Sequence, residues 1–287
     1  MSQPLALRDA VVLITGGGDG IGRALAHVAL NRGARVVAVD RNADALAELA
    51  RAVGSDRLET HAADVVDADA MRGIVAQTVA THGRLDVAVA NAGIERIGPV
   101  AEMPTEQFEQ VIEVNVLGVY RTIQPCLAPI MESGGHVVAV SSLAALLPFP
   151  YGAAYAASKS AVDMLMRILR FELLDSGATA GAAYFGFVLS EMGQRVTSHP
   201  GVETLSGRLP THLLGMAPYL PVDEVARRFM DGIEQRRARI YAPWSVRVPH
   251  FLRGVLVPLD DFLGRRVMRL PELTRSLFGA GRADSRD

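Results

Sequence analysis

Val11-Val12-Leu13-Ile14-Thr15-Gly16-Gly17-Gly18-Asp19-Gly20-Ile21-Gly22 runs from a short apolar stretch through a glycine-rich turn and on into a helical pattern. A β-branched run of this length, apolar at every position, reads as a strand buried on both faces. Glycine permits positive φ and close backbone approach, and the free N–H groups at the start of the next helix favour an anion. The spacing is Gly-x-x-x-Gly-x-Gly, not the Gly-x-Gly-x-x-Gly of the longer-chain dinucleotide fingerprint. The same glycines also suit a tight strand-to-helix connection with no ligand, so the turn needs support from the rest of the chain.

Outward from it the rhythm repeats. Apolar runs at residues 11–15, 35–39, 57–62, 87–90 and 136–140 alternate with helical patterns at 20–31, 42–53, 67–82, 105–131 and 151–175, several opened by Asn, Asp or Thr. This predicts a parallel sheet with crossover helices covering both faces. The 287 residues, 49% hydrophobic and 21% charged, suffice for one large α/β domain. A formal charge of −2 argues against nucleic acid as a partner. Cys126 is the only cysteine, which excludes an internal disulfide and points to no Cys-based metal site; no metal is expected. The N-terminus lacks a secretory pattern, so a cytoplasmic location is expected. The uncharged stretch 133–158 is punctuated by Gly134, Gly135, Pro148, Pro150 and Gly152 and reads as strand, loop and helix start, not a membrane span.

Ligands of open α/β sheets collect at strand C-terminal ends. Asp40 ends the second strand, 24 residues after Gly16, close to the roughly 20 expected for a carboxylate that accepts ribose hydroxyls. A carboxylate there repels a 2′-phosphate, and Asp19 adds negative charge nearby, which favours NAD over NADP; Arg41 next door keeps NADP in play. Asp40 could instead serve the N-terminus of the following helix. Asp64 and Val65 follow the third strand, where Asp64 also suits a helix cap. Asn91, Ala92 and Gly93 follow the fourth, and their small volume fits either a flat ring approaching the backbone or an ordinary turn.

Tyr155 and Lys159 are four apart on a predicted helix and share a face, with Ser142 at the end of the preceding strand. Interconverting an alcohol and a ketone moves a proton on oxygen as a hydride moves on carbon, which calls for a group that gives and takes that proton. A phenol near its ordinary pKa of about 10 is reluctant at neutral pH. A neighbouring ammonium is expected to lower that value, and a serine hydroxyl can hold the substrate oxygen. Lys159 is the chain's only lysine; all other residues of the 29 Lys and Arg are arginine. A compact, rotatable point charge is wanted there, unless the lysine is simply solvated on a helix face.

Taken together, Thr15-Gly16 with Gly20-Ile21-Gly22, Asn91-Ala92-Gly93, Asn115, Ser142 and Tyr155-Ala156-Ala157-Ser158-Lys159 resemble the short-chain dehydrogenase/reductase family over roughly residues 10–241. The resemblance implies a single-domain Rossmann fold: a doubly wound, parallel, seven-stranded sheet with helices on both faces, in a homodimer or homotetramer. It implies that Ser142 positions the substrate oxygen, Tyr155 is the acid/base, Lys159 also binds the nicotinamide ribose, and Asn115 holds a water of the proton relay. Read alone, Asn115 could only be satisfying a backbone carbonyl. After the sixth strand the family has Pro-Gly, where this chain has Phe185-Gly186; Val188 and Ser190 still fall where the nicotinamide amide would be held.

Residues 1–242 are expected to form the NAD-binding catalytic domain with a lid at about 190–220, and residues 243–287 a C-terminal helical extension packed on it. Leu143, Leu146, Leu147, Phe149 and Tyr151, with Met192, Leu205, Leu209, Leu213, Leu214 and Met216 of the lid, would favour a hydrophobic alcohol or ketone: steroid, terpenoid, long-chain or aryl. Many of them could equally pack a core. The extension mixes apolar residues with arginines. Packing, as an oligomer contact or a cap over the site, is favoured over peripheral membrane contact, since Asp260 and Asp261 interrupt the basic face and Pro249 and Pro258 break a long helix. The competing reading is a non-catalytic NAD sensor or scaffold, against which the complete Asn115, Ser142, Tyr155 and Lys159 set argues.

Overall fold

The computed structural model describes residues 3–199 and 218–259, with single positions 202, 262 and 265. Strands β1 (Val11–Thr15), β2 (Arg35–Asp40), β3 (Leu58–Ala62), β4 (Val87–Ala90), β5 (His136–Val140) and β6 (Thr179–Phe185) form one sheet with a strand near the C-terminus. Between them run α1 (Gly20–Asn31), α2 (Ala43–Val53), α3 (Ala68–His82), α4 (Thr105–Ile112), α5 (Gly118–Ser133) and α6 (Ala153–Glu172). Two short strands, β7 (Val188–Leu189) and β8 (Leu220–Pro221), pair with each other around α7 (Glu191–Thr197); α8 (Val222–Glu234), β9 (Arg239–Ala242) and α9 (Arg247–Leu256) follow.

The large sheet is parallel throughout, in the order β3-β2-β1-β4-β5-β6-β9. Because side chains alternate along a strand, each apolar run feeds two cores. Val12, Ile14, Val36 and Ala38 pack with α1, α2 and α8 on one face. Val11, Leu13, Val37 and Val39 pack with α3, α5 and α6 on the other. This is the doubly wound Rossmann architecture. Its order reverses between β1 and β4, and that switch point places the turns after both strands side by side.

The caps follow the sequence closely. Asn42 and Asp67 accept N–H bonds from the first turns of α2 and α3, and Gly54 and Gly83 close those helices in the left-handed conformation. The pattern over 105–131 is helical throughout, running on to Ser133, but not uniformly α-helical. A π-helical turn, Glu113–Leu117, separates α4 from α5 and carries Asn115, and such turns are frequent at functional sites.

Phe185, where the family resemblance places proline, is a core residue. It pairs in register with Ala242, and its ring meets Phe229 of α8 edge-on at 5.3 Å. Leu146 is likewise buried in the core of the α6 face, and the half-buried Leu143 packs against it. Of the expected lid, α7 is described; Leu205, Leu209, Leu213, Leu214 and Met216 lie outside the described residues. Helix α9 begins the extension and reaches the sheet through His250, whose ring stands edge-on to Tyr184 at 5.1 Å and Tyr241 at 5.7 Å. Trp244, Phe251 and Leu252 stay exposed. Asp260, Asp261 and the residues after 265 lie outside the described residues. Among the described residues no helix is long and apolar enough to cross a membrane.

Helix α1 starts so close to β1 that a Cβ on Gly22 would stand 1.9 Å from the Gly16 carbonyl oxygen. No rotamer relieves a clash with backbone, so Gly22→Ala is expected to destabilise the protein by about 1–3 kcal/mol, read as a lower denaturation midpoint; an unchanged midpoint would contradict this packing.

Candidate active site

The turn after β1 forms a cradle. Gly16 has φ +66°, and a side chain on it would meet the Asn91 amide at 2.9 Å and the Ala92 backbone at 3.0 Å. Gly20, at φ +53°, faces open space. The Asn91 side chain ties the two turns together by donating to the carbonyls of Thr15 (3.0 Å) and Gly16 (3.2 Å), and the Thr15 hydroxyl accepts from the Asn91 N–H (3.2 Å). Backbone that close, with an open glycine at the helix start, suits the pyrophosphate of a dinucleotide. Ile21 is half-buried against the core behind it.

Asp40 lies at the edge of this cradle, half-buried. One carboxylate oxygen accepts from Gly18 N–H (3.0 Å), the other from Asn42 N–H (2.9 Å), which leaves lone pairs for ribose hydroxyls. Arg41 is exposed beside it. Asp19 caps α1, accepting from Gly20 N–H at 2.6 Å, so its carboxylate is committed to the helix start. Asp64 accepts from Val66 N–H (3.2 Å) in the loop before α3. The Val65 side chain is buried against Gly118, whose Cβ would come within 2.6 Å of it, and belongs to the core.

Across the switch point the chemistry-bearing residues meet. Ser142 ends the turn after β5, where its hydroxyl also accepts from Ala144 N–H (3.1 Å), and it hydrogen-bonds the Tyr155 phenol from α6. One turn on, the Lys159 ammonium stands 5.5 Å from the centre of the Tyr155 ring and donates to the Val140 carbonyl at 2.9 Å. Lys159 is 3% exposed. Its backbone carbonyl accepts from the Ser141 hydroxyl (3.0 Å), so β5 grips α6 twice. A side chain on Gly93 would crowd this corner, meeting Asn115 Oδ1 at 3.2 Å and Lys159 Nζ at 3.4 Å.

Burial disfavours charge on both members of the pair. It pushes Lys159 down to about 8. It pushes Tyr155 up to about 12, partly offset by the Ser142 hydrogen bond and reinforced by the Glu95 carboxylate. The direction is opposite to the depressed phenol expected from the sequence: desolvation outweighs the Ser142 hydrogen bond.

The side chain of Asn115 is held by the protein: its Oδ1 accepts from Ile94 N–H (2.8 Å), and its Nδ2 donates to the Ile94 carbonyl (2.9 Å) and the Ser158 hydroxyl (3.0 Å). Ser158 in turn donates to the Tyr155 carbonyl (2.7 Å). Further on, Gly186 N–H donates to the Ala242 carbonyl (2.9 Å), Val188 is buried, and Ser190 caps α7 by accepting from Gly193 N–H (3.1 Å). Ser190 is thereby held at the start of α7, the helix that follows the nicotinamide-side loop expected from the sequence.

Sequence reasoning missed Glu95. Its side chain is 10% exposed and pairs with Arg195 of α7 at 3.3 Å. Nothing in the spacing marks it, since a charged residue after a loop glycine ordinarily faces solvent.

The family model for short chain dehydrogenase matches residues 10–201. The D-threitol dehydrogenase of Mycolicibacterium smegmatis is 31% identical over 208 residues, 71% of this chain and 80% of that protein. The 2-(R)-hydroxypropyl-CoM dehydrogenase of Xanthobacter autotrophicus is 33% identical over 217 residues, 72% of this chain and 86% of that one. A short chain dehydrogenase/reductase from Burkholderia phymatum, solved in complex with NAD, superposes with a TM-score of 0.76 at 24% identity, covering 89% of this chain and 96% of that one. With its motifs ordered along a Rossmann sheet and its glycine cradle facing the Ser142, Tyr155 and Lys159 corner, the chain belongs to the short-chain dehydrogenase/reductase family of nucleotide-binding oxidoreductases.

Proposed function

We propose that the protein interconverts a hydrophobic secondary alcohol and its ketone with NAD(H), using Tyr155 as acid/base. The convergence of Ser142, Tyr155 and Lys159 beside the cradle carries this reading. When bound, the dinucleotide supplies the hydride acceptor for oxidation or the hydride donor for reduction. Cradle glycines Gly16 and Gly20, with Asn91, Ala92 and Gly93, would admit it; Asp40 would receive the adenosine ribose, and Lys159 the nicotinamide ribose. Asp40 favours NAD, because a 2′-phosphate beside it would be repelled.

In oxidation Ser142 holds the alcohol oxygen against Tyr155. With a dinucleotide bound to take the carbinol hydride, the hydroxyl proton would pass to the Tyr155 oxygen in its phenolate form. In reduction the phenol returns the proton to the new alkoxide. Lys159 favours the phenolate electrostatically, and Asn115 positions the helix and loop that carry these groups. The names of the relatives, a threitol and a hydroxypropyl-CoM dehydrogenase, support alcohol chemistry here. Exposed Tyr120 and Met131 on α5, with Met164, Ile168 and Phe171 on α6, support pairing of copies through this face.

Tyr155→Phe is expected to lower kcat by about 10²–10⁴-fold, the usual worth of a positioned acid/base, while NADH fluorescence titration still shows binding. Activity with NAD should exceed that with NADP, and Asp40→Ala should narrow the gap. Lost dinucleotide binding in Tyr155→Phe, or full activity in it, would count against the assignment.

Oxidation needs the phenolate and reduction the phenol, and the two groups titrate as a pair. With Tyr155 held up at about 12, kcat/KM for oxidation should climb with pH through the neutral and alkaline range. That for reduction should fall at the alkaline end. Lys159→Met should move the oxidation limb to higher pH, since it removes the charge that favours phenolate; a pH-independent oxidation rate would refute the pairing. Light scattering should report twice or four times the 30.7 kDa chain mass, and a monomer would exclude the apolar face as an interface.

A further inference from the structure

Glu95 follows Ile94, which Asn115 clamps from both sides of its peptide group, so its backbone is fixed relative to the catalytic helix. Its carboxylate is nearly enclosed, yet among the described residues its only side-chain partner is the Arg195 guanidinium, at 3.3 Å from Oε1. Arg195 is itself 56% exposed and shared with Glu191 at 2.7 Å. A carboxylate offers about four acceptor positions, and among the described residues a side chain meets only one of them, by a long contact. Two residues earlier Gly93 lies against the catalytic corner, a Cβ there meeting Lys159 Nζ at 3.4 Å, so the loop that carries Glu95 borders the site, and the Tyr155 phenol feels the carboxylate's charge.

We infer that Glu95 is a specificity residue whose carboxylate accepts a hydrogen bond from a second hydroxyl of the substrate, so that diols are selected over their mono-hydroxy analogues. The inference rests on the alcohol/ketone reading of the site. Arg195, shared with Glu191, offsets part of the charge, so a cationic substrate gains less than it would from a free carboxylate, and an anionic one meets like charge. A neutral hydroxyl near the reacting carbon satisfies the acceptor without disturbing the ion pair. Such a bond to a charged acceptor also costs dearly when the donor is missing, which is how one group discriminates between otherwise equal alcohols.

The test compares kcat/KM for 1-phenyl-1,2-ethanediol and 1-phenylethanol, each enantiomer, with NAD, in wild type and in Glu95→Gln. Both substrates use Tyr155, so their ratio cancels any effect of Glu95 on that phenol. Wild type should favour one enantiomer of the diol by roughly ten- to hundredfold, the range for a hydrogen bond to a charged group. In Glu95→Gln, which keeps the shape, the ratio should fall at least tenfold, mostly through KM. NADH fluorescence and the denaturation midpoint report whether the variant is folded; should it be unfolded, Glu95→Asp takes its place and should weaken the same ratio. A wild-type ratio near one, or an unchanged ratio in the variant, overturns the role of Glu95 and leaves the oxidoreductase reading standing. A wild type that binds NADH but oxidises neither alcohol and reduces neither matching ketone overturns both.

Discussion

The side-chain amide of Asn115 joins the loop after β4, at Ile94, to the helix that carries Tyr155, at Ser158, 43 residues further along the chain than Asn115 itself. Its three hydrogen bonds satisfy both polar groups of the Ile94 peptide unit and the Ser158 hydroxyl. A buried N–H or C=O left without a partner costs about 1–3 kcal/mol, so this amide is the cheapest way to keep the loop seated. The nicotinamide side of the cradle, the phenol and the ammonium all take their relative positions from that seat. The π-helical turn makes it reachable, by inserting one residue into the helix and swinging Asn115 inward.

Lys159 shows what the seat supports. An ammonium at 3% exposure has exchanged water for one carbonyl and the face of an aromatic ring. That exchange is unfavourable by itself, as its lowered pKa reports. It persists because β5 and α6 hold each other through Ser141 and Val140 whether or not the charge is present. Strain of this kind belongs at sites that must handle protons near neutral pH.

Much of this was legible before any coordinate. Periodicity placed the strands, since Val11 to Ile14 had to be buried on both sides, and cap residues such as Asn42 and Asp67 marked helix starts. The nearness of Tyr155 and Lys159 was legible because four-residue spacing on a helix is geometry. What escaped has physical reasons. A π turn adds one residue without altering composition, so 105–131 read as a single helix. The direction of the Tyr155 shift depends on burial against charge, and spacing says nothing about which is larger. Phe185 stood out only as a departure from the family proline, whereas in the structure it extends its strand into the core. Glu95 escaped because its enclosure comes from α7, a hundred residues later.

Behind the catalytic helix lies a second buried carboxylate. Asp163, two turns after Tyr155, is 2% exposed and receives the Tyr184 hydroxyl. Two guanidinium groups flank it, Arg167 at 3.8 Å and Arg253 at 3.9 Å. The first belongs to the same helix, but the second comes from α9, beyond the last strand of the sheet. The tail therefore completes the counter-charge of the helix that bears the phenol. A chain that ended at Ala242 would keep every motif of the sheet and lose one of the two guanidinium groups beside that carboxylate, so the tail is tied by charge to the back of the helix that bears the phenol.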